Sequence, residues 1–152
     1  MRVAVIDVGS NSIRLLVAAI EPSGEAKAVE RDRVYLRLGD DAYRFGSVGA
    51  RKLDELEFVA ERFALRARAL GAERIETIVT APGREASNAD ELVDVLADAT
   101  RAQVLVLSAE DEARLAWEGA VAALEARPRT VAAIDLGGGS CEIGRASCRE
   151  RV

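Results

Sequence analysis

Val5-Ile6-Asp7-Val8-Gly9-Ser10, near the start of the chain, returns near its other end as Ala133-Ile134-Asp135-Leu136-Gly137-Gly138. Each copy is an apolar strand, an aspartate, one more apolar residue, a glycine and a small residue. A glycine directly after a buried strand lets backbone N–H groups come close to an anion. Ser10, Asn11 and Ser12 after the first copy, and Gly139 and Ser140 after the second, add backbone and short side-chain donors. A carboxylate at the strand end, Asp7 or Asp135, would repel phosphate directly. It fits an anion site when it holds a metal ion or that ion's waters, because magnesium binds through one or two carboxylates together with substrate phosphates. Either turn alone reads better as a tight turn with a capping aspartate. The matched pair points to function, and to two similarly built lobes with a boundary near Pro128.

Outward from the first copy, residues 3–6 and 13–20 read as strands joined by turn chemistry, and 26–38 as a third. These give an antiparallel opening. Leu53, Leu56, Ala60, Phe63, Ala67 and Leu70 recur in steps of three and four, one face of a helix that Gly71 can stop. Residues 75–79 read as a strand. Asn88 with Glu91 marks a helix start, and Leu92, Val95, Leu96 and Ala99 give that helix its face. Residues 104–107 read as a strand, Ser108 with Asp111 opens a helix to about Ala126, and 131–136 is a further strand before the second glycine turn. The predicted order is βββαβαβα and then β again, an α/β fold with a mostly parallel sheet. The expected organisation is a first lobe over residues 1–127 and the start of a second over 128–144. Residues 145–152, without strand alternation and rich in positive charge, are expected to be a non-native or divergent tail.

The chain has 152 residues, 49% apolar and 31% charged, enough for one core or one core and a fragment. Its formal net charge of -5 argues against binding DNA or RNA by bulk charge. It has no histidine, which removes His-based triads, Cys-His dyads and His-ligated metals. Acid–base work therefore falls to carboxylates. Cys141 and Cys148 form no disulfide framework, so a reducing compartment is expected. No apolar run reaches membrane-spanning length and the first residues run straight into a strand, so no membrane and no signal peptide are expected. The cytoplasm is the expected location.

Two further segments carry candidate chemistry. Ser108-Ala109-Glu110-Asp111-Glu112 places three carboxylates in a first helical turn. Complementing the helix dipole accounts for Glu110 and Asp111. Glu112 lies beyond the first capping positions, where a carboxylate projecting into a cleft can orient and deprotonate a water. Thr80-Ala81-Pro82-Gly83-Arg84-Glu85-Ala86-Ser87-Asn88 follows a strand, at the edge where open α/β sheets bind ligands. Arg84 there is either a phosphate clamp or a surface arginine.

Taken in order, four segments resemble the exopolyphosphatase / guanosine-pentaphosphate phosphatase family. They are Asp7-Val8-Gly9-Ser10-Asn11-Ser12, the arginine loop 80–88, Glu112-Ala113-Arg114-Leu115, and Asp135-Leu136-Gly137-Gly138-Gly139-Ser140-Cys141-Glu142, where Cys141 stands in place of a frequent threonine. The resemblance runs from about Val3 to Gly144. It implies a ribonuclease-H-like lobe of the actin / sugar-kinase / heat-shock-ATPase group, plus the first strand and phosphate loop of a second such lobe. It further implies hydrolysis of the terminal phosphoanhydride of inorganic polyphosphate, or of guanosine pentaphosphate, with Mg²⁺, and a possible homodimer in full-length form. By motif match, Glu112 would be the general base and Arg84 would hold phosphate oxygens. Gly9, Ser10, Asn11 and Ser12 would cradle phosphate from one lobe, and Gly137, Gly138, Gly139 and Ser140 from the other. Asp7, Asp135 and Glu142 would support the metal. A non-catalytic phosphate-binding module, or a kinase or ATPase of the same fold group, stays open on the residues alone.

Overall fold

The computed structural model describes residues 1–124, 130–138 and 141–147. Strands β1 (Arg2–Val8), β2 (Ser12–Ile20) and β3 (Ala26–Tyr35) form the antiparallel opening. Helices α1 (Leu38–Phe45) and α2 (Ala50–Ala69) lead to β4 (Arg74–Val79), which pairs parallel with β1. Helices α3 (Ala81–Glu85) and α4 (Ala89–Thr100) then lead to β5 (Val104–Val106), parallel to β4. The sheet order is β3-β2-β1-β4-β5, the mixed sheet of a ribonuclease-H-like lobe. Helix α5 (Ala109–Ala122) connects it to a separate two-stranded sheet, β6 (Thr130–Leu136) against β7 (Cys141–Ser147).

Strand alternation decides which side is core. Ala4, Ile6 and Val8 of β1, with Ile13, Leu15 and Val17 of β2, are buried on the face covered by α2 and α4. Helix α2 meets that face with Leu53, Leu56, Ala60, Phe63 and Ala67, as the spacing predicts, and α4 adds Leu92 and Leu96. Inside this layer Thr77 Oγ1 donates to Thr100 Oγ1 at 3.2 Å, which donates to the Leu96 carbonyl at 2.7 Å. No helix among the described residues is long and apolar enough to cross a membrane.

Several elements differ from expectation. The third strand ends at Tyr35 because Leu36 and Arg37 turn away, both donating their backbone N–H to the Asn11 carbonyl. Helix α1 had no readable face: only Leu38 is buried, while Tyr43 and Phe45 point to solvent. Residues 81–85, read as loop, make the short helix α3, with Pro82 at the start where a missing N–H costs nothing. Asn88 does not cap α4 with its side chain. Its carboxamide instead clamps Val48, accepting from the backbone N–H and donating to the carbonyl, both at 2.9 Å. Ser108 does cap α5, accepting from the Asp111 N–H at 3.0 Å; that helix ends at Ala122, short of Ala126, which lies outside the described residues. Strand β7 continues through Ser147, into the segment expected to lack strand structure, and gives β6 a partner. Pro128 and residues 148–152 lie outside the described residues.

Candidate active site

The first glycine turn is built by its own backbone. The Gly9 N–H closes the turn on the Ser12 carbonyl at 3.0 Å, and the Gly39 N–H binds the Ser10 carbonyl at 2.9 Å. Gly39 approaches so closely that a Cβ there would sit 2.7 Å from the Ser10 Cβ, so only glycine fits that contact. Ser10 and Ser12 are buried, while Asn11 stays exposed at the tip.

The second turn reaches the first. A Cβ on Gly138 would lie 2.5 Å from the Asn11 side-chain carboxamide, so the two glycine turns touch at Asn11 and Gly138. Between them is a cavity of roughly 190 Å³. The first turn supplies Asp7, Gly9, Ser10, Asn11 and Ser12 to its wall, and β6 with its turn supplies Asp135, Leu136, Gly137 and Gly138. Glu112 enters from the first turn of α5, and Arg14 and Thr80 complete the wall. Gly139 and Ser140 lie outside the described residues, as does the side chain of Glu142.

Charge in this cavity is unbalanced: three carboxylates, Asp7, Glu112 and Asp135, share it with one guanidinium, Arg14. Burial raises the Asp7 pKa above its ordinary 3.8; Arg14 works against that, and the charges of Glu112 and Asp135 add to it. Among the described residues no three acidic, histidine or cysteine side chains gather closely enough to hold a metal by themselves. The donor set does suit a hard cation that takes one or two carboxylates and completes its shell with water and phosphate oxygens.

Arg84 does not line the cavity. Its guanidinium donates to the Leu107 carbonyl at 2.7 Å through Nη1, and Nη2 lies 2.8 Å from Glu112 Oε2. Both side chains of that ion pair are mostly buried, 22% and 18% exposed. Glu112 Oε2 is buried and accepts no well-aligned hydrogen bond among the described residues. The arginine thus ties the carboxylate of α5 to the α3 segment. Close packing sets its position: a Cβ on Gly83 would lie 2.8 Å from Val79 Cγ1.

Arg14 and Thr80 were not singled out from the sequence. Arg14 had a signal: it is the one polar residue interrupting the apolar run 13–20. Thr80 stood only as the first residue of the arginine loop 80–88, with no role of its own. The Thr80 N–H donates to the Val8 carbonyl at 3.1 Å, which sets it beside the first turn.

Exopolyphosphatase 2 of Mycobacterium tuberculosis is 32% identical over 150 residues, covering 93% of this chain and 47% of that protein. Exopolyphosphatase 1 of the same species is 29% identical over 149 residues, covering 94% and 42%. The chain therefore spans less than half the length of these relatives. Among solved structures, an Aquifex aeolicus Ppx/GppA enzyme superposes with a TM-score of 0.84 at 28% identity, over 97% of this chain and 48% of that one. An exopolyphosphatase from Cytophaga hutchinsonii superposes at 0.89 over 99% and 48%, and at 23% identity it speaks for the fold alone. Residues 16–149 match the Ppx/GppA phosphatase family, and the chain belongs to that family.

Proposed function

We propose that this cavity hydrolyses the terminal phosphoanhydride bond of inorganic polyphosphate and releases orthophosphate. The observation that carries the reading is the placement of the Glu112 carboxylate in one cavity with two glycine turns that touch each other. The names of the mycobacterial relatives favour polyphosphate over guanosine pentaphosphate as substrate.

In this reading the backbone of the two turns holds the terminal phosphate, with Ser10, Ser12 and Arg14 on its first-lobe side. Glu112 accepts a proton from a water placed against the terminal phosphorus. The water oxygen bonds to phosphorus as the bond to the bridging oxygen breaks. That oxygen leaves with its electron pair on the shortened chain. Little covalent work is asked of the protein, so positioning and charge neutralisation supply the rate. Mg²⁺, held by Asp7 and Asp135 together with water and phosphate oxygens, would neutralise charge between the carboxylates and the phosphate. Arg84 acts through Glu112, holding its carboxylate toward the cavity.

The test is phosphate release from long-chain polyphosphate with Mg²⁺, comparing the parent chain with Glu112→Gln. A general base contributes about 10²–10⁴-fold, so release should fall by that factor while binding of polyphosphate persists. Equal release by both proteins would remove Glu112 from the chemistry. Binding without release by either protein would support a non-catalytic phosphate-binding module.

A further inference from the structure

The face of the five-stranded sheet away from α2 and α4 carries an arginine cluster that the hydrolytic reading does not use. Arg14 on β2 stands directly opposite Arg33 on β3, and Arg31 stands opposite Leu16. Alternation puts all three arginines on the same face, and all three are exposed. Like charges placed directly opposite one another destabilise a sheet. The chain has 26 acidic residues, yet none of these arginines makes an ion pair among the described residues. Asp32 borders the same groove, but its carboxylate accepts from the Arg33 backbone N–H at 2.7 Å.

Arg33 is held in place. Its Nη1 donates to the Tyr35 hydroxyl at 3.3 Å, and its guanidinium lies over the Tyr35 ring, 5.9 Å from the centroid. The Tyr35 phenol is pushed below its ordinary 10.0 by that hydrogen bond first, then by the charge of Arg33, with Arg14 adding to it. The field here is positive on a chain whose net charge is -5. The groove adjoins the active site: Arg14 lines both.

We propose that Arg33 and Arg31 form a track that carries the distal part of a linear polyphosphate chain out of the cavity. This rests on the reading that the cavity holds the terminal phosphates. Arg14 has Asp7 directly opposite it on β1, whereas Arg31 and Arg33 make no ion pair among the described residues; a polyanion laid across those two supplies the missing counter-charge. Steps of about 6.8 Å along a strand and about 4.8 Å between strands give an extended ligand successive contacts, and a guanidinium suits phosphate oxygens. A nucleic acid fits less well, since it needs a series of stacking aromatics. Tyr35 is the single exposed aromatic here, and Arg33 lies over its ring.

The test is equilibrium binding to the chain, in Mg²⁺ buffer, of long-chain polyphosphate and of tripolyphosphate. The double variant Arg31→Gln/Arg33→Gln should lose about tenfold for the long chain, the combined worth of two exposed charge contacts, and under twofold for tripolyphosphate. The log–log salt slope for the long chain should shrink by about 1.4, as for two phosphate contacts on a single strand. Arg31→Lys/Arg33→Lys should keep the slope. The glutamine variant should also melt about 1–2 °C higher, because the Arg14–Arg33 repulsion is gone. Unchanged long-chain affinity and slope in the glutamine variant overturns the track and leaves the cavity reading intact. Parent chain that binds neither phosphate probe overturns both. Single-stranded poly(U) bound as tightly as polyphosphate, with the same loss in the variant, overturns the assignment of ligand.

Discussion

Ile6 and Ile134 hold the same place in the same device, one residue before the aspartate of a glycine turn, and so do Val8 and Leu136 one residue after it. Ile6 and Val8 are 0% exposed, whereas Ile134 is 64% and Leu136 76% exposed. In both copies the strand pairs antiparallel with the strand that follows it, and the two turns meet at Asn11 and Gly138. What differs is the layer behind the strand. Strand β1 is central in a five-stranded sheet and lies beneath α2 and α4; among the described residues β6 pairs with β7 alone and packs against α5, on which none is fully buried. A strand-turn device therefore sets local geometry by itself, while burial depends on what the rest of the chain lays over it.

The largest effect that tests this contrast is a matched truncation. Ile6→Ala removes fully buried methyl groups and should cost about 2–5 kcal/mol. Ile134→Ala removes mostly exposed ones and should stay within about 0.5 kcal/mol. Urea denaturation of the two variants measures both. Equal costs would mean that β6 is packed as tightly as β1, and the contrast would fail.

A middle-sized effect tests what joins the two regions. The Arg84–Glu112 ion pair runs from α3 in the buried lobe to α5. Breaking a partly buried pair of this kind lies between the surface and the fully buried cases, about 1–3 kcal/mol. Arg84→Met should lower stability by that amount without any ligand, and should raise amide hydrogen exchange in the first turns of α5. A variant that loses phosphate affinity but keeps the parent's ligand-free stability would assign Arg84 to the phosphate instead of to Glu112.

The same contrast explains what could be read from the sequence. The α2 face, the antiparallel opening and the strand ends carrying Asp7 and Asp135 were legible because each rests on local periodicity or turn chemistry. Helix α1 was not, because Tyr43 and Phe45 are exposed and Leu38 alone is buried. Helix α3 was hidden by its Pro82 and Gly83, which read as loop until Val79 and Val106 are seen packed against Gly83. Asn88 looked like a cap because capping is local; its partner, Val48, is forty residues away. In the site, Glu112 and the two turns could be named from motif order. The burial of Arg84 against Glu112 and the place of Arg14 in the wall come from tertiary packing, which no short window of sequence encodes.

The smallest effect asks whether the two regions share one electrostatic field. Asp7 belongs to the buried lobe and Asp135 to the β6–β7 unit. Burial raises the Asp7 pKa first, and the charges of Glu112 and Asp135 raise it further against Arg14. The folded chain then holds the Asp7 proton more tightly than the unfolded chain does. Stability is therefore greater where Asp7 is protonated in both states, and it falls as pH rises from the ordinary 3.8 through the raised value. In metal-free buffer, Asp7→Asn should melt above the parent at neutral pH, and the gain should disappear as the solution is acidified below that range. Asp135→Asn should give part of the same gain, because it removes one of the charges that oppose ionised Asp7. Melting curves from pH 3 to 7, an interval spanning the ordinary carboxylate range, measure both variants. If Asp135→Asn leaves the pH dependence of the parent unchanged, Asp135 does not act on Asp7, and the two glycine turns do not form one site.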